Sequence, residues 1–254
     1  MLRYGSAKLD YVSLIKQAGR LDYSVCNRKC KLALLSDAAP QYLVSIFKTL
    51  FHSYQIEAEI YEAGFNTIEP EIYNSNSALY QFNPDYVALI HSSAQLRSRY
   101  YAATEKNNFW NQEVTRIKAM WAALTEKTKA QIIQSNFVMP SERPFGNYDL
   151  KAGQSFFDSV RRINDDLIES AKENPSVTIN DLNYLASHVG IKHWQDEKMW
   201  ILSKSICAFE YLPLIAQNIV DIVAARMGFG VKCVVLDLDN TLWGGVIAGS
   251  SFSF

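Results

Sequence analysis

The sequence predicts an α/β protein: a three-layer α/β/α sandwich on a mostly parallel sheet of five strands. Three observations lead there. Short apolar segments that read as strands alternate with amphipathic helical segments five times before residue 230. Apolar residues make up 48% and aromatics 13% of the 254 residues, enough for a sizeable core. No internal repeat or low-complexity tract interrupts the alternation.

Each element has its own signal. Residues 1–30 are mixed, weakly helical and read as an amino-terminal extension. "KLALLSD" (31–37) is a short apolar run with a polar end, hence a strand. In 41–54, Leu43, Ile46, Phe47, Leu50 and Phe51 recur at helical spacing. "IEAEIYE" (56–62) alternates and reads as a second strand, and "DYVALIHSS" (85–93) as a third. A long helix follows over 107–128, its buried face marked by Phe109, Trp110, Val114, Ile117, Met120, Trp121 and Leu124. "QIIQSNFVMP" (131–140) is the fourth strand. Residues 140–152 form a loop rich in Pro and Gly, and 155–174 an amphipathic helix. "SVTIND" (176–181) is the fifth strand, with Asp181 placed to cap a helix that stops at Gly190. A looser segment spans 191–208. Residues 209–228 form a last helix, with Pro213 in its first turn.

Composition narrows the function. Twenty-five basic side chains balance 26 acidic ones, so charge gives no reason to expect a nucleic-acid partner. No run of 18 apolar residues predicts a membrane span. The first residues lack the apolar stretch of a secretory signal. The four cysteines (Cys26, Cys30, Cys207 and Cys233) lack the nearby ligands of a zinc site and fit reduced thiols. A cytoplasmic protein is expected.

A parallel α/β sheet offers ligands the C-terminal ends of its strands. The polar residues there are Ser36 and Asp37, His91 with Ser92 and Ser93, Ser135 and Asn136, and Asp181. The densest chemical signal lies later, in "VKCVVLDLDNTLWGG" (231–245). An apolar strand that delivers Asp237 and Asp239 puts two carboxylates at one corner. The first can attack phosphorus and bind Mg²⁺; the second can offer a carbonyl to the metal and an acid or base to the leaving group.

That stretch resembles motif I of the haloacid-dehalogenase (HAD) superfamily, and "KCVVLDLDNTLWGGVI" is similar to its FkbH-like subgroup. The resemblance implies that Asp237 is the nucleophile and Asp239 the acid/base, both on Mg²⁺, with Thr241 contacting phosphate. The family continues into a complete Rossmann-like domain that supplies a Ser/Thr, a Lys and further acidic metal ligands. Here "AGSSFSF" follows instead. Residues 229–254 are therefore read as the truncated start of a HAD-like domain with a non-family tail, inactive and without a cofactor of its own.

The resemblance extends upstream. In FkbH-like proteins the region before the HAD domain looks like the SGNH-hydrolase fold, a flavodoxin-like sandwich, which implies such a domain over 31–228. SGNH enzymes carry their nucleophile in Gly-Asp-Ser after the first strand. The matching stretch here is "LLSDAA", which aligns Ser36 with the glycine, Asp37 with the aspartate and Ala38 with the nucleophile. The oxyanion positions fall near 90–95 and 135–137. The Asp and His expected before the last helix fall in "LSKSICA" (202–208), which holds neither.

Two functions are open. One is a non-catalytic binding or scaffold domain of an FkbH-like phosphatase or glyceryl transferase in polyketide or polysaccharide biosynthesis. Its implied partners are the HAD domain and an acyl carrier protein. The other is an enzyme: an esterase using Ser36 with His91 as base, or a phosphatase at Asp237 when the whole HAD domain is present. Arg97 and Arg99 lie in "AQLRSRYYAATEKNNFW" (94–110), read either as an anion grip at the pocket mouth or as a solvated loop and helix start. Trp194 and Trp200, in "KHWQDEKMWILSK" (192–204), read as the seat of the HAD domain, with Lys204 facing the cleft.

Overall fold

The computed structural model describes residues 10–229. Asp237, Asp239, Thr241 and Cys233 therefore lie outside the described residues. Within them the strands are β1 (Arg28–Ser36), β2 (Ile56–Glu62), β3 (Tyr86–Ile90), β4 (Gln131–Ser135) and β5 (Val177–Asn180). The helices are α1 (Tyr11–Ala18), α2 (Gln41–Ser53), α3 (Ile68–Tyr73), α4 (Ala78–Phe82), α5 (Ser93–Ala102) and α6 (Phe109–Lys127). After these come α7 (Asp149–Ala152), α8 (Phe156–Glu173), α9 (Leu182–Val189), α10 (Ile191–Trp194), α11 (Glu197–Ser203) and α12 (Leu212–Ala224).

The strands form one sheet in the order β2-β1-β3-β4-β5, and every neighbouring pair is parallel. Side chains alternate across it. Leu32 and Leu34 of β1, with Tyr86, Ala88 and Ile90 of β3, join a core capped by α1, α2, α9 and α12. Ala33 and Leu35, with Val87 and Leu89, join the opposite core under α3, α4, α5, α6 and α8. Both faces are covered, which is why β1 and β3 read as continuous apolar runs rather than alternating ones. The chain enters the sheet at β1, runs out to β2, then returns past β1 to β3. The crevice at that reversal, over the C-terminal ends of β1 and β3, is where folds of this order take ligands.

Several boundaries differ from expectation, each for a local reason. β1 starts at Arg28, because Arg28 to Cys30 pair with Ile56 to Ala58 of β2. Residues 11–18 of the expected extension fold as α1: Asp10 caps it, Leu14 is buried, and Thr49 Oγ1 donates to the Leu14 carbonyl at 2.9 Å. β3 stops at Ile90 rather than 93, since Ser92 accepts from Gln95 N at 3.2 Å and caps α5. β4 stops at Ser135 rather than 140. Beyond it Asn164 of α8 holds Phe137 by its N–H (2.9 Å) and its carbonyl (2.7 Å). The capping by Asp181, the stop at Gly190 (φ 99°) and Pro213 in the first turn of α12 agree with the sequence reading.

The helical stretch Phe209–Phe229 has the length and mean hydropathy to cross a membrane. Its apolar face is spent on the core: Ile215, Ala216, Ile219, Val220 and Val223 are fully buried against the sheet.

Candidate functional site

The end of β1 is sealed. Ser36, Asp37 and Ala38 are each no more than 2% exposed. Ser36 Oγ accepts from the Ala38 N–H at 3.0 Å, a bond within one turn. Asp37 Oδ1 accepts from the Ser92 N–H at 2.6 Å, which ties the end of β1 to the start of α5. Its Oδ2 has no hydrogen-bond partner, and the Arg99 Nη1 stands 4.0 Å away. Burial pushes the Asp37 carboxyl up to about 6, against the lowering pull of the Ser92 N–H and the Arg99 charge.

Behind Asp37 lies a chain of ions. Arg99 gives Nε and Nη2 to the two carboxylate oxygens of Glu113 at 3.0 and 3.2 Å. Arg116 also binds Glu113, at 2.8 and 3.0 Å, and reaches Glu69 at 2.6 Å. Arg99 is therefore committed to an internal bidentate pair and does not face the cavity.

A cavity of about 220 Å³ opens over the strand ends. Its floor includes His91, Ser92 and Ser93; aromatic walls come from Tyr101, Phe156, Phe157, Trp194 and Trp200. Its charged lining is Arg97 with Glu142, Asp196 and Glu197, so acids outnumber bases there. Arg97 itself stands 3.7 Å from Glu197. His91 is 2% exposed. Its Nδ1 meets Gln134 Nε2 at 3.0 Å, its Nε2 is without a partner, and its ring is 6.1 Å from that of Phe137. Burial holds its pKa well below the ordinary histidine range, helped by the charges of Arg116 and Arg99.

Of the residues singled out in the sequence, the structure brings His91, Ser92, Ser93, Arg97, Trp194 and Trp200 to the cavity. Ser36 and Asp37 lie sealed at the end of β1, and no hydrogen bond joins Ser36 to His91 among the described residues. Asn136 is spent on structure: Nδ2 donates to Asp181 Oδ1 at 2.7 Å and Oδ1 accepts from Asn183 N at 3.0 Å. Lys204 terminates α11 in a left-handed conformation (φ 53°), with Nζ 5.3 Å over the Trp200 ring and its carbonyl accepting from Ala39 N. Trp194 and Trp200 line the cavity at one end of the sheet. Phe229 lies at the other end, under the Arg28 guanidinium at the start of β1. The sequence reading missed Phe156, Phe157 and Glu142 as cavity wall, while Tyr101 lies in the 94–110 stretch that it set at the pocket mouth. The α8 pair sat inside an amphipathic pattern that explained them as core. Among the described residues no cluster of three or more metal-ligating side chains exists, so the Mg²⁺ expectation rests on Asp237 and Asp239 alone.

The sheet order and the cleft over the strand ends agree with the sandwich expected from the sequence, and Ala38, the residue that the resemblance sets at the nucleophile position, is buried. Two esterase structures share the fold. One is the acetyl xylan esterase AlAXEase (TM-score 0.50, 12% identity, covering 76% of this chain and 99% of that one). The other is Axe2 of Geobacillus stearothermophilus, an acetyl-xylooligosaccharide esterase (TM-score 0.51, 11% identity, 79% and 95%). A nearer likeness is the N-terminal part of BF1531 from Bacteroides fragilis, a structure containing a phosphatase domain complexed with Mg. It has a TM-score of 0.84 and 28% identity over 92% of this chain, and the present chain spans 62% of its length. No curated protein matches. The model of the FkbH N-terminal domain matches residues 31–224, and the chain belongs to that family.

Proposed function

We propose that this chain is a non-catalytic binding domain that stands before the phosphatase or glyceryl-transferase domain of an FkbH-like protein. One observation supports the reading: Ala38, which the resemblance aligns with the nucleophile of SGNH enzymes, is 1% exposed. A methyl group has no lone pair with which to attack a carbonyl. The neighbouring hydroxyl does not replace it. Ser36 accepts a backbone N–H, is sealed, and lacks the hydrogen bond to an imidazole that would activate it. His91 is equally unsuited as a base, since its Nδ1 is engaged by Gln134.

Metal chemistry would then belong to Asp237 and Asp239, which the resemblance implies would hold Mg²⁺ once the rest of a HAD domain surrounds them. BF1531, whose described fragment contains a phosphatase domain, supports that arrangement. Among the described residues Cys26, Cys30 and Cys207 are free thiols, which suits a cytoplasmic site of action. The role we assign to the domain is to hold substrate or an acyl carrier protein for the biosynthetic step carried out next door.

The test pairs a serine trap with a binding measurement. A fluorophosphonate probe should leave Ser36 unlabelled, and p-nitrophenyl acetate should not turn over, while calorimetry with acyl carrier proteins should show heat of binding. Labelling at Ser36, or ester hydrolysis lost in Ser36→Ala, would establish the esterase reading instead. Absence of any carrier affinity would remove the docking role.

A further inference from the structure

The groups that water reaches in the cavity over the strand ends decide what it can hold. Tyr101 and Glu142 are exposed, the Arg97 and Glu197 side chains are 42% and 74% exposed, and Trp200 and Asp196 are half-buried. Several neutral groups of the lining are already engaged. Ser93 donates to the Val138 carbonyl and Ser205 to that of Cys207, both at 2.8 Å, and Ser92 Oγ accepts from Gln95 N. His91 Nδ1 meets Gln134, and its Nε2 is closed to water. The donors that remain are the indoles of Trp194 and Trp200, the hydroxyls of Tyr101 and Ser141, and Arg97, which stands 3.7 Å from Glu197. Water serves such donors in an open cavity. The acceptors that remain are charged. Glu142 has no ion-pair partner among the described residues, and Asp196 spends one oxygen, Oδ1, on the cap of α11. Three carboxylates against one guanidinium leave the lining with an excess of negative charge. That excess draws in cations and repels anions.

The walls decide which kind of cation. A divalent metal asks for a cage of oxygens, and among the described residues no three metal-ligating side chains stand together. Aromatic rings surround this space instead, those of Tyr101, Phe156, Phe157, Trp194 and Trp200. The face of such a ring attracts a weakly hydrated cation, tryptophan most strongly. Two of the rings already hold cations that come from outside the lining. Lys204 Nζ lies 5.3 Å over the Trp200 ring, and the Arg143 guanidinium 3.9 Å over that of Phe157. Both of these cations are exposed and screened by water. The volume, about 220 Å³, is below the usual range of roughly 300–1,000 Å³ for drug-sized ligands, so the guest is small.

We infer that the cavity binds a small organic cation, an ammonium with apolar groups on its nitrogen, held by the aromatic walls around Trp200 and Tyr101 and by the carboxylates of Glu142, Asp196 and Glu197. This rests on the binding-domain reading above only in treating the cavity as a place of recognition. Its ligand is opposite in charge to an acidic carrier protein, so the two can be tested apart.

Three probes of similar shape separate the possibilities: choline, neohexyl alcohol, in which carbon replaces the quaternary nitrogen, and the anion tert-butylacetate. Calorimetry on the whole chain should show choline binding at millimolar concentration, the alcohol about tenfold more weakly, and the anion not at all. Choline should also move the indole N–H resonance of Trp200, identified by its loss in Trp200→Phe. Trp200→Ala, on a helix with no buried residue, should weaken choline by about tenfold, and Glu142→Gln should weaken it severalfold. Arg97→Gln removes the cation of the lining and should tighten choline severalfold, a gain that a damaged fold would not produce. Equal binding of the alcohol, preference for the anion, weaker binding in Arg97→Gln, or no binding of choline to the unaltered protein would each overturn the ligand class. None of these outcomes bears on Ser36 or on carrier affinity, so the binding-domain reading would stand or fall separately.

Discussion

Glu113 shows how one side chain sets the character of its neighbours. It is 6% exposed and accepts from two arginines at once. Its charge makes it possible for Arg99 and Arg116 to lie side by side beneath the sheet ends. Replacing it by Gln leaves two guanidiniums facing a neutral amide. Removing one member of a buried ionic group costs about 3–5 kcal/mol; the arginine side chains are 31% and 26% exposed, so we expect the low end, about 3 kcal/mol, from urea unfolding of Glu113→Gln. A loss of only a few tenths would mean that water screens the cluster as it does surface pairs. The same residue explains why Arg99 reads differently in the sequence and in the fold. Next to a strand end, an arginine is a reasonable anion ligand. Its neutralising partner is on another helix, fourteen positions away, and no local pattern announces that pairing. His91 is the reverse case. Its place at a strand end was legible, but its tautomer depends on Trp121 and Gln134, which only tertiary contact brings together.

At the level of elements, the strongest signals in the chain were those with a single physical origin. β2 spans the expected 56–62 because its pattern and its turn residues agree. The long helices α6 and α8 carry wide apolar stripes that only helical spacing can place on one face. What escaped was short or weakly patterned. α5 buries only Leu96 and Tyr100 of its ten residues, so 94–110 gave no stripe to find. In the segment read as loose, α11 is held by its Asp196 cap and α10 by the buried Trp194, rather than by an amphipathic pattern of their own. Caps therefore matter most where helices are short. Asp181 Oδ1 accepts both Tyr184 N (2.9 Å) and Asn136 Nδ2 (2.7 Å), joining the start of α9 to the end of β4. Asp181→Ala should cost about 1–2 kcal/mol, since it removes a cap and strands the Asn136 amide. Asp181→Asn keeps a capping oxygen and should recover most of that loss in thermal unfolding. Equal damage from both variants would show that charge, not the cap, is what α9 needs.

The whole molecule places two titrating groups at one sheet end, and they pull its stability in opposite directions with pH. Asp37 has a folded pKa of about 6, above the ordinary carboxylate value. The folded state thus holds that proton more tightly than the unfolded chain does. Its contribution favours folding at low pH and is lost as pH rises from about 4 through 6, by about 3 kcal/mol in all. His91 is shifted the other way, well below the ordinary imidazole value. The unfolded chain takes up that proton first, so the stability His91 gives is present at neutral pH and is lost as pH falls below about 6.5. Over the same acid range the two terms offset one another, and the total stability curve conceals both. A difference measurement exposes them. Asp37→Asn keeps an oxygen for the Ser92 N–H but removes the titration. The stability of this variant relative to the unaltered protein should rise steadily between pH 4 and 7 in urea titrations and level off above. The slope, not the offset, is the readout: the pull of Arg99 on the ionised carboxyl is already contained in the folded pKa, and only packing changes that do not titrate add a constant. A difference that stays flat across that range would mean that water reaches Asp37 in solution and that the end of β1 is not the closed floor on which the cavity stands.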